Sequence, residues 1–262
     1  MSFVYVNGSY LPPDEARLPV TDRGLAYGDG VFTTMKVSGG APLYLEKHLK
    51  RLARDAAAIH LAVPLGEVEA ACIGLVSRLG MESGVLKVVL TRGTGPRGLS
   101  SKNAAEPSVV VSASGLPGSR PPLRAVSVFD DRGPLTSHKT LNYLPNVLAL
   151  WRAEQAGCEE AIFISDGLLL EATASNLVGR VEGRLFTPPL KGRVLGGIAR
   201  ELLLEEGIVS EGNLPVGISG PLYCVNSVRG IEPVAELDGQ PLRLDPEIRN
   251  HLDEPLARRS RA

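Results

Sequence analysis

The chain has 262 residues, a formal net charge of −1, 44% apolar residues and 5% aromatic residues. That length accommodates one large or two modest domains with a full core, and the even charge excludes the electrostatic footprint of a nucleic-acid or acidic-membrane binder. No apolar run reaches the roughly 20 residues of a membrane span. The N-terminus also lacks a basic region followed by an apolar core, so no signal peptide is expected.

Three cysteines, Cys72, Cys158 and Cys224, are odd in number and widely spaced. They fit neither a disulfide framework nor a zinc site, and they predict reduced thiols and a cytoplasmic protein. The four histidines, His48, His60, His138 and His251, form no ligand-spaced cluster, so no metal is expected.

In chain order, Phe3 to Val6 followed by Asn7-Gly8 predicts an opening hairpin. Val31 to Val37 reads as a strand, Ser38 to Gly40 as a turn, and Leu45 to Leu61 as a helix with Leu45, His48, Leu49, Leu52, Ala56 and Ile59 on one face. Read from the helix alone, Arg51 is a solvated charge. Gly66 to Leu79 predicts a second helix, and Gly84 to Arg92 a β-branched strand. The glycine-rich TRGTGPRGLS that follows lacks the Gly-Lys-[Ser/Thr] of a nucleotide-binding loop, which leaves a loop whose arginines face an anionic substrate. Val109 to Ala113 is a further strand. Ser114 to Pro122 has the composition of a linker, giving domains 1–117 and 118–262.

The second half opens with a strand from Arg124 to Phe129 and reaches Lys139 just before an amphipathic helix, where Leu141, Leu144, Val147, Leu148 and Trp151 recur at helical spacing. Ala161 to Ser165, Asp166-Gly167 and Leu168 to Glu171 form a hairpin that ends on a carboxylate needing a cationic partner. Strands Leu177 to Val181 and Arg184 to Thr187 extend this into a β-meander. Gly196-Gly197 precede a helix from Ile198 to Glu206, whose free N–H groups suit a phosphate. Asn226-Ser227, taken alone, reads as a turn between strands. Asp245 to Ala262 is expected to be a solvated helix with a frayed basic end.

Several words in this order resemble the fold-type IV pyridoxal-phosphate enzymes, the family of branched-chain and D-amino-acid transaminases and aminodeoxychorismate lyase. Lys139-Thr140-Leu141-Asn142 resembles the K-[ST]-x-N context of the lysine that carries the cofactor, and Glu171 to Asn176 the E-x-x-x-S-N context of the glutamate paired with the pyridine nitrogen. Asp22 to Phe32 matches D-R-G-x-x-Y-G-D-G-x-F, and His48 to Leu52 matches H-x-x-R-L, whose arginine meets the phosphate. The resemblance implies an α/β fold of two domains, a smaller N-terminal α/β sandwich and a larger C-terminal β-rich pseudo-barrel. It also implies pyridoxal 5′-phosphate as cofactor, with Lys139 catalytic and Arg51, Glu171, Ser175, Asn176, Gly197, Ile198, Ala199, Asn226 and Ser227 around it. Ala199 departs from the family's threonine or methionine at that place, which removes a hydroxyl contact and leaves the backbone donors.

Tyr27, Phe32, Thr33 and Arg97 are implied on the substrate side. A homodimer is implied as well, because family members place their sites near a subunit interface. The stretch GVLKVVLTRGTGPRGLS and the pair Thr33-Thr34 resemble the lyase, which converts 4-amino-4-deoxychorismate to 4-aminobenzoate and pyruvate for folate synthesis. Leu99 departs from the lyase's tyrosine, and the alternative is a class IV transaminase of D-amino or branched-chain amino acids. Arg97 suits a dianionic substrate because a guanidinium forks onto a carboxylate.

Overall fold

The structure is a computed structural model that describes residues 2–191 and 193–258. Two compact units emerge: Met1–Leu116 with His138–Asn142, and Pro117–Ser137 with Tyr143–Ala262. The expected single boundary between 117 and 118 therefore gives way to a more interleaved division. The segment His138–Asn142 goes with the first unit because Phe32 donates its N–H to the Lys139 carbonyl at 2.9 Å and Leu141 donates to the Gly30 carbonyl at 2.9 Å.

In the first unit, β1 (Val4–Val6) and β2 (Ser9–Leu11) flank Asn7 and Gly8. Both turn residues are left-handed, at φ 44° and 92°, as a two-residue hairpin requires. There follow α1 (Arg23–Tyr27), β3 (Gly30–Ser38), β4 (Ala41–Pro42), α2 (Leu45–Ala58), α3 (Leu65–Leu79), β5 (Ser83–Thr91) and β6 (Ser108–Ser114). The sheet order is β2-β1-β6-β5-β3-β4, with every pairing antiparallel. Along β3 the residues Val31, Thr33, Met35 and Val37 are buried while Phe32, Thr34, Lys36 and Ser38 are partly exposed, the alternation of a sheet with one face covered. Leu49, Leu52, Cys72 and Leu75 from α2 and α3 pack in the same core as Met35 and Leu86. Each such side chain contributes about 1.5–3 kcal/mol on burial. Helix α2 stops at Ala58, short of the expected Leu61. His60 turns left-handed at φ 54°, and the N–H groups of His60 and Leu61 return to the carbonyls of Ala57 and Ala56.

The second unit comprises β7 (Leu123–Phe129), α4 (Leu144–Gln155), β8 (Glu160–Ser165), β9 (Leu168–Ala172), β10 (Asn176–Val181), β11 (Arg184–Thr187) and α5 (Ile198–Glu205). It continues with β12 (Ser210–Glu211), β13 (Leu214–Pro215), β14 (Leu222–Asn226), β15 (Gly230–Leu237), β16 (Gln240–Pro241) and α6 (Pro246–Arg258). The circuit β10-β14-β15-β7-β8-β9 closes back on β10 through the pair Glu171–Asn176, which makes a six-stranded barrel. The expected meander holds from β8 to β11, each strand antiparallel to the next, whereas β7 stands outside it and pairs in parallel with both β8 and β15. Parallel neighbours need a crossover, and α4 is that crossover between β7 and β8. Leu123, Ile162, Leu169, Leu177, Cys224 and Val234 form the core of this unit.

Two helices depart from their expected environment. On α4 the small residues Ala149 and Ala153 pack with Ala161 and Phe163, while Leu144, Val147, Leu148 and Trp151 are 66%, 58%, 47% and 55% exposed. The apolar stripe that defines this helix in sequence thus faces outward, since the alanines allow the closer approach to β8. Helix α6 is more than a solvated tail. Its Leu252 is fully buried beside Tyr223 and Ile231, and residues 259–262 of the expected helix lie outside the described residues.

Candidate active site

Lys139 lies in a short extended segment laid against β3. Thr140 bridges Val31 in antiparallel fashion, so the Lys139 carbonyl accepts from Phe32 and the Lys139 amine stands 4.3 Å from the centre of the Phe32 ring. The backbone N–H of Lys139 donates to Asp55 Oδ2 at 3.1 Å, and Asp55 Oδ1 lies 3.2 Å from His138 Nδ1. Asn142, the last residue of the lysine word, donates from its side chain to the Gly28 carbonyl at 3.3 Å. At Gly28, with φ 64°, an added Cβ would stand 2.6 Å from Asn142 Oδ1. The words Asp22 to Phe32 and Lys139 to Asn142 are thus interlocked within one unit.

Arg51 is buried rather than solvated, at 7% exposure. Its Nη2 donates to the Thr33 hydroxyl at 2.9 Å, and that hydroxyl meets His48 Nδ1 at 2.8 Å. Burial, reinforced by the charges of Arg51 and Lys139, pushes the His48 imidazole well below its ordinary pKa and keeps it neutral. Thr33 itself is fully buried, its hydroxyl engaged by His48 and Arg51.

The word Asp22 to Phe32 begins with a buried carboxylate. Asp22 caps α1 through the Gly24 N–H at 2.8 Å and accepts from the hydroxyls of Thr91 and Ser108. Arg23 then reaches the glycine-rich loop and donates to the carbonyls of Gly98, Leu99 and Ser100, while its Nε holds Asp29 at 2.9 Å. Tyr27 accepts from the Gly98 N–H at 3.1 Å. Arg97, just before these anchored residues, is solvent-exposed, and Leu99 is 84% exposed.

In the second unit the spacing of the glutamate word follows from a tight turn. Ala172 donates its N–H to the Ser175 carbonyl at 2.8 Å, which sets Glu171 across from Asn176 at the closing seam of the barrel. Glu171 Oε1 accepts from Arg132 Nη1 at 2.5 Å, and Oε2 accepts from the Leu195 N–H at 2.9 Å and from Asn176 Nδ2 at 3.4 Å. Arg132 also binds Asp130 at 2.7 Å, and its guanidinium stands 3.8 Å from the centre of the Phe163 ring. Sequence reasoning missed Arg132, although the need for a cationic partner to Glu171 was legible.

Beside Asn176 lies the start of α5. Gly197 is its N-cap, without a side-chain capping bond, and a Cβ at Gly197 would stand 2.0 Å from Asn176 Oδ1. Ile198 and Ala199 are buried in the first turn. Asn226 spends its carbonyl on the N–H groups of Val228 and Arg229, the expected turn, and donates from Nδ2 to Ser175 Oγ at 2.8 Å. Ser227 follows in that turn.

A family model for class IV amino-transferases matches residues 30–237. The chain belongs to that family. A putative branched-chain-amino-acid aminotransferase of Methanocaldococcus jannaschii is 32% identical over 254 residues, covering 90% of this chain and 88% of that protein. Among solved structures, a hypothetical aminotransferase from Mycobacterium tuberculosis in its PLP-bound form is 25% identical with a TM-score of 0.87, covering 98% of each chain. The 4-amino-4-deoxychorismate lyase of Pseudomonas aeruginosa is 30% identical with a TM-score of 0.82, covering 96% of this chain and 97% of that one. Within this class IV chain no helix among the described residues is long and apolar enough to cross a membrane.

Proposed function

We propose that the protein is a pyridoxal-phosphate-dependent aminotransferase that moves an amino group between a small amino acid and a 2-oxo acid. The cofactor fits the residues present. The α5 start offers backbone donors beside Asn176, Ser175 and the Asn226-Ser227 turn, an array suited to a phosphate. A buried carboxylate, Glu171, suits a protonated ring nitrogen. When bound, the cofactor supplies an electrophilic aldehyde and an electron-withdrawing ring.

The chain's own groups take the remaining roles. Lys139 Nζ would hold the cofactor covalently, and as an amine it would carry the proton to and from the substrate carbon. Glu171, held by Arg132 and the Leu195 N–H, would face the ring nitrogen. Arg51, Ser175, Gly197, Ile198, Ala199, Asn226 and Ser227 serve the phosphate, and Tyr27, Phe32 and Arg97 serve the substrate. Thr33 acts behind Arg51. The observation that carries this reading is the Lys139 segment, whose carbonyl and N–H are both tied down while its amine lies over the Phe32 ring.

A second reading is aminodeoxychorismate lyase. The loop from Thr91 to Ser100 and the 30% identity to the Pseudomonas lyase favour it, while the M. jannaschii relative favours transfer. The deciding experiment incubates the purified protein with enzymatically generated aminodeoxychorismate and, separately, with branched-chain and D-amino donors plus 2-oxoglutarate. Oxo-acid production without 4-aminobenzoate supports transfer. Release of 4-aminobenzoate and pyruvate alone replaces it with the lyase.

The exposed stripe Leu144, Val147, Leu148 and Trp151 supports a homodimer as the working form. Light scattering that gives the mass of one chain for the active protein would contradict this.

A further inference from the structure

Helix α2 presents an acid to its buried face where an apolar residue would pack without cost. Asp55 is 1% exposed and stands in the same helix face as Leu52 and Ala56. A carboxylate is not buried there unless its oxygens are well satisfied. Oδ1 receives the guanidinium of Arg54 at 2.8 and 3.1 Å and faces His138 Nδ1 at 3.2 Å, and Oδ2 receives the backbone N–H of Lys139 at 3.1 Å. Two of these partners, His138 and Lys139, are consecutive residues 83 and 84 positions away in sequence, the second opening the lysine word. On the other side the Lys139 carbonyl is held by the Phe32 N–H of β3.

We propose that Asp55 is the positioning residue of Lys139, fixing the peptide that carries the amine. The inference rests on the reading of Lys139 as the cofactor lysine. Arg51 and Asp55 are one turn apart on α2, about 6 Å along its axis. The arginine assigned to the phosphate and the anchor of the lysine are therefore referenced to one rigid element. A shift of α2 would displace both, whereas a lysine held only by its own loop would drift independently. His138 completes the clamp: its ring braces the same carboxylate from the residue before Lys139, so the segment is held at two successive positions.

Amide exchange of the full-length holoprotein, read residue by residue by NMR, tests this directly. In Asp55→Ala the Lys139 amide should exchange roughly ten- to a hundredfold faster, the worth of a hydrogen bond to a charged acceptor. The Leu141 amide, which donates to Gly30, and the amides of α2 should keep their rates. Asp55→Asn should restore most of the protection, because its amide oxygen still accepts from the Lys139 N–H, its NH₂ can donate to His138, and Arg54, whose side chain is half exposed, can turn its guanidinium to water. An unchanged Lys139 amide in Asp55→Ala would overturn the proposal, and so would uniformly faster exchange through α2 and β3, which would mark Asp55 as a fold-stabilising residue only. Borohydride trapping on the same samples separates this from the parent reading. A link mapped to another lysine removes the cofactor assignment, while a link at Lys139 with unchanged exchange removes only the anchor.

Discussion

Asn176 stands directly across the barrel seam from Glu171, its amide nitrogen 3.4 Å from the Glu171 carboxylate and 2.8 Å from the Leu195 carbonyl. The motif spacing is therefore a consequence of strand register: a turn closed by Ala172 and Ser175 must bring these two residues opposite each other. Glu171→Gln keeps the side-chain shape and removes the charge, although its NH₂ cannot accept a bond as the carboxylate oxygen it replaces does. The variant should retain pyridoxal phosphate and lose most of its turnover, because a neutral amide no longer favours the protonated ring nitrogen. Cofactor absorbance and steady-state rates on the same preparation check this, and rates near wild type would reduce Glu171 to a structural carboxylate.

Arg132 is wedged between Asp130 and Glu171, with all three side chains at most 7% exposed. Removing it leaves two buried carboxylates without their shared cation. Arg132→Ala should destabilise the protein by about 3–5 kcal/mol, read as a shift in the denaturant midpoint. Arg132→Lys should recover only part of this, since one ammonium cannot fork onto both acids.

Much of this was legible in the sequence because the signals were local. The left-handed pairs Asn7-Gly8, Asp166-Gly167 and Glu182-Gly183 announced their hairpins, and all six residues have positive φ. Lys139 and Glu171 sat in short words whose chemistry implied a partner. What escaped depends on contacts far apart in the chain. Asp55 follows Arg54 in a charged run that reads as solvated helix, yet it is satisfied by residues 83 and 84 positions away. Arg132 lies in an unremarkable Asp-Asp-Arg-Gly stretch, and its role appears only once β7 and β9 share a barrel. The parallel pairing of β7 was hidden because a strand's own pattern does not reveal its neighbours. On α4 the apolar stripe pointed to a packed face, whereas Ala149 and Ala153 make the contact.

Glu160 offers a pH signature. Burial raises its carboxyl above the ordinary value of 4.5, and bonds from Thr173 and the Ala161 N–H only partly oppose this. The folded state therefore holds this proton more tightly than the unfolded chain. Its contribution to stability is complete below 4.5 and is lost as pH rises through the raised folded value. Glu160→Gln should remove that segment of the pH dependence. Urea unfolding across acidic to neutral pH should show the wild type losing stability relative to the variant, and parallel curves would contradict it.

Arg97 discriminates the two reactions. It is exposed on a loop whose carbonyls are held by Arg23, so its removal should leave the fold and cofactor spectrum unchanged. If the substrate is a dicarboxylate that it forks, Arg97→Ala should reduce kcat/KM roughly ten- to a hundredfold, with Arg97→Lys intermediate. Unchanged kinetics on every substrate would take this loop out of the binding site.

The most direct test of the central claim is chemical. Borohydride reduction of the purified yellow protein, followed by proteolysis and mass spectrometry, should place the reduced pyridoxyl-phosphate mass on Lys139, and Lys139→Ala should yield no such adduct while still binding the cofactor non-covalently. An adduct on a different lysine of the wild type, or one that persists at the usual site in Lys139→Ala, would contradict the account.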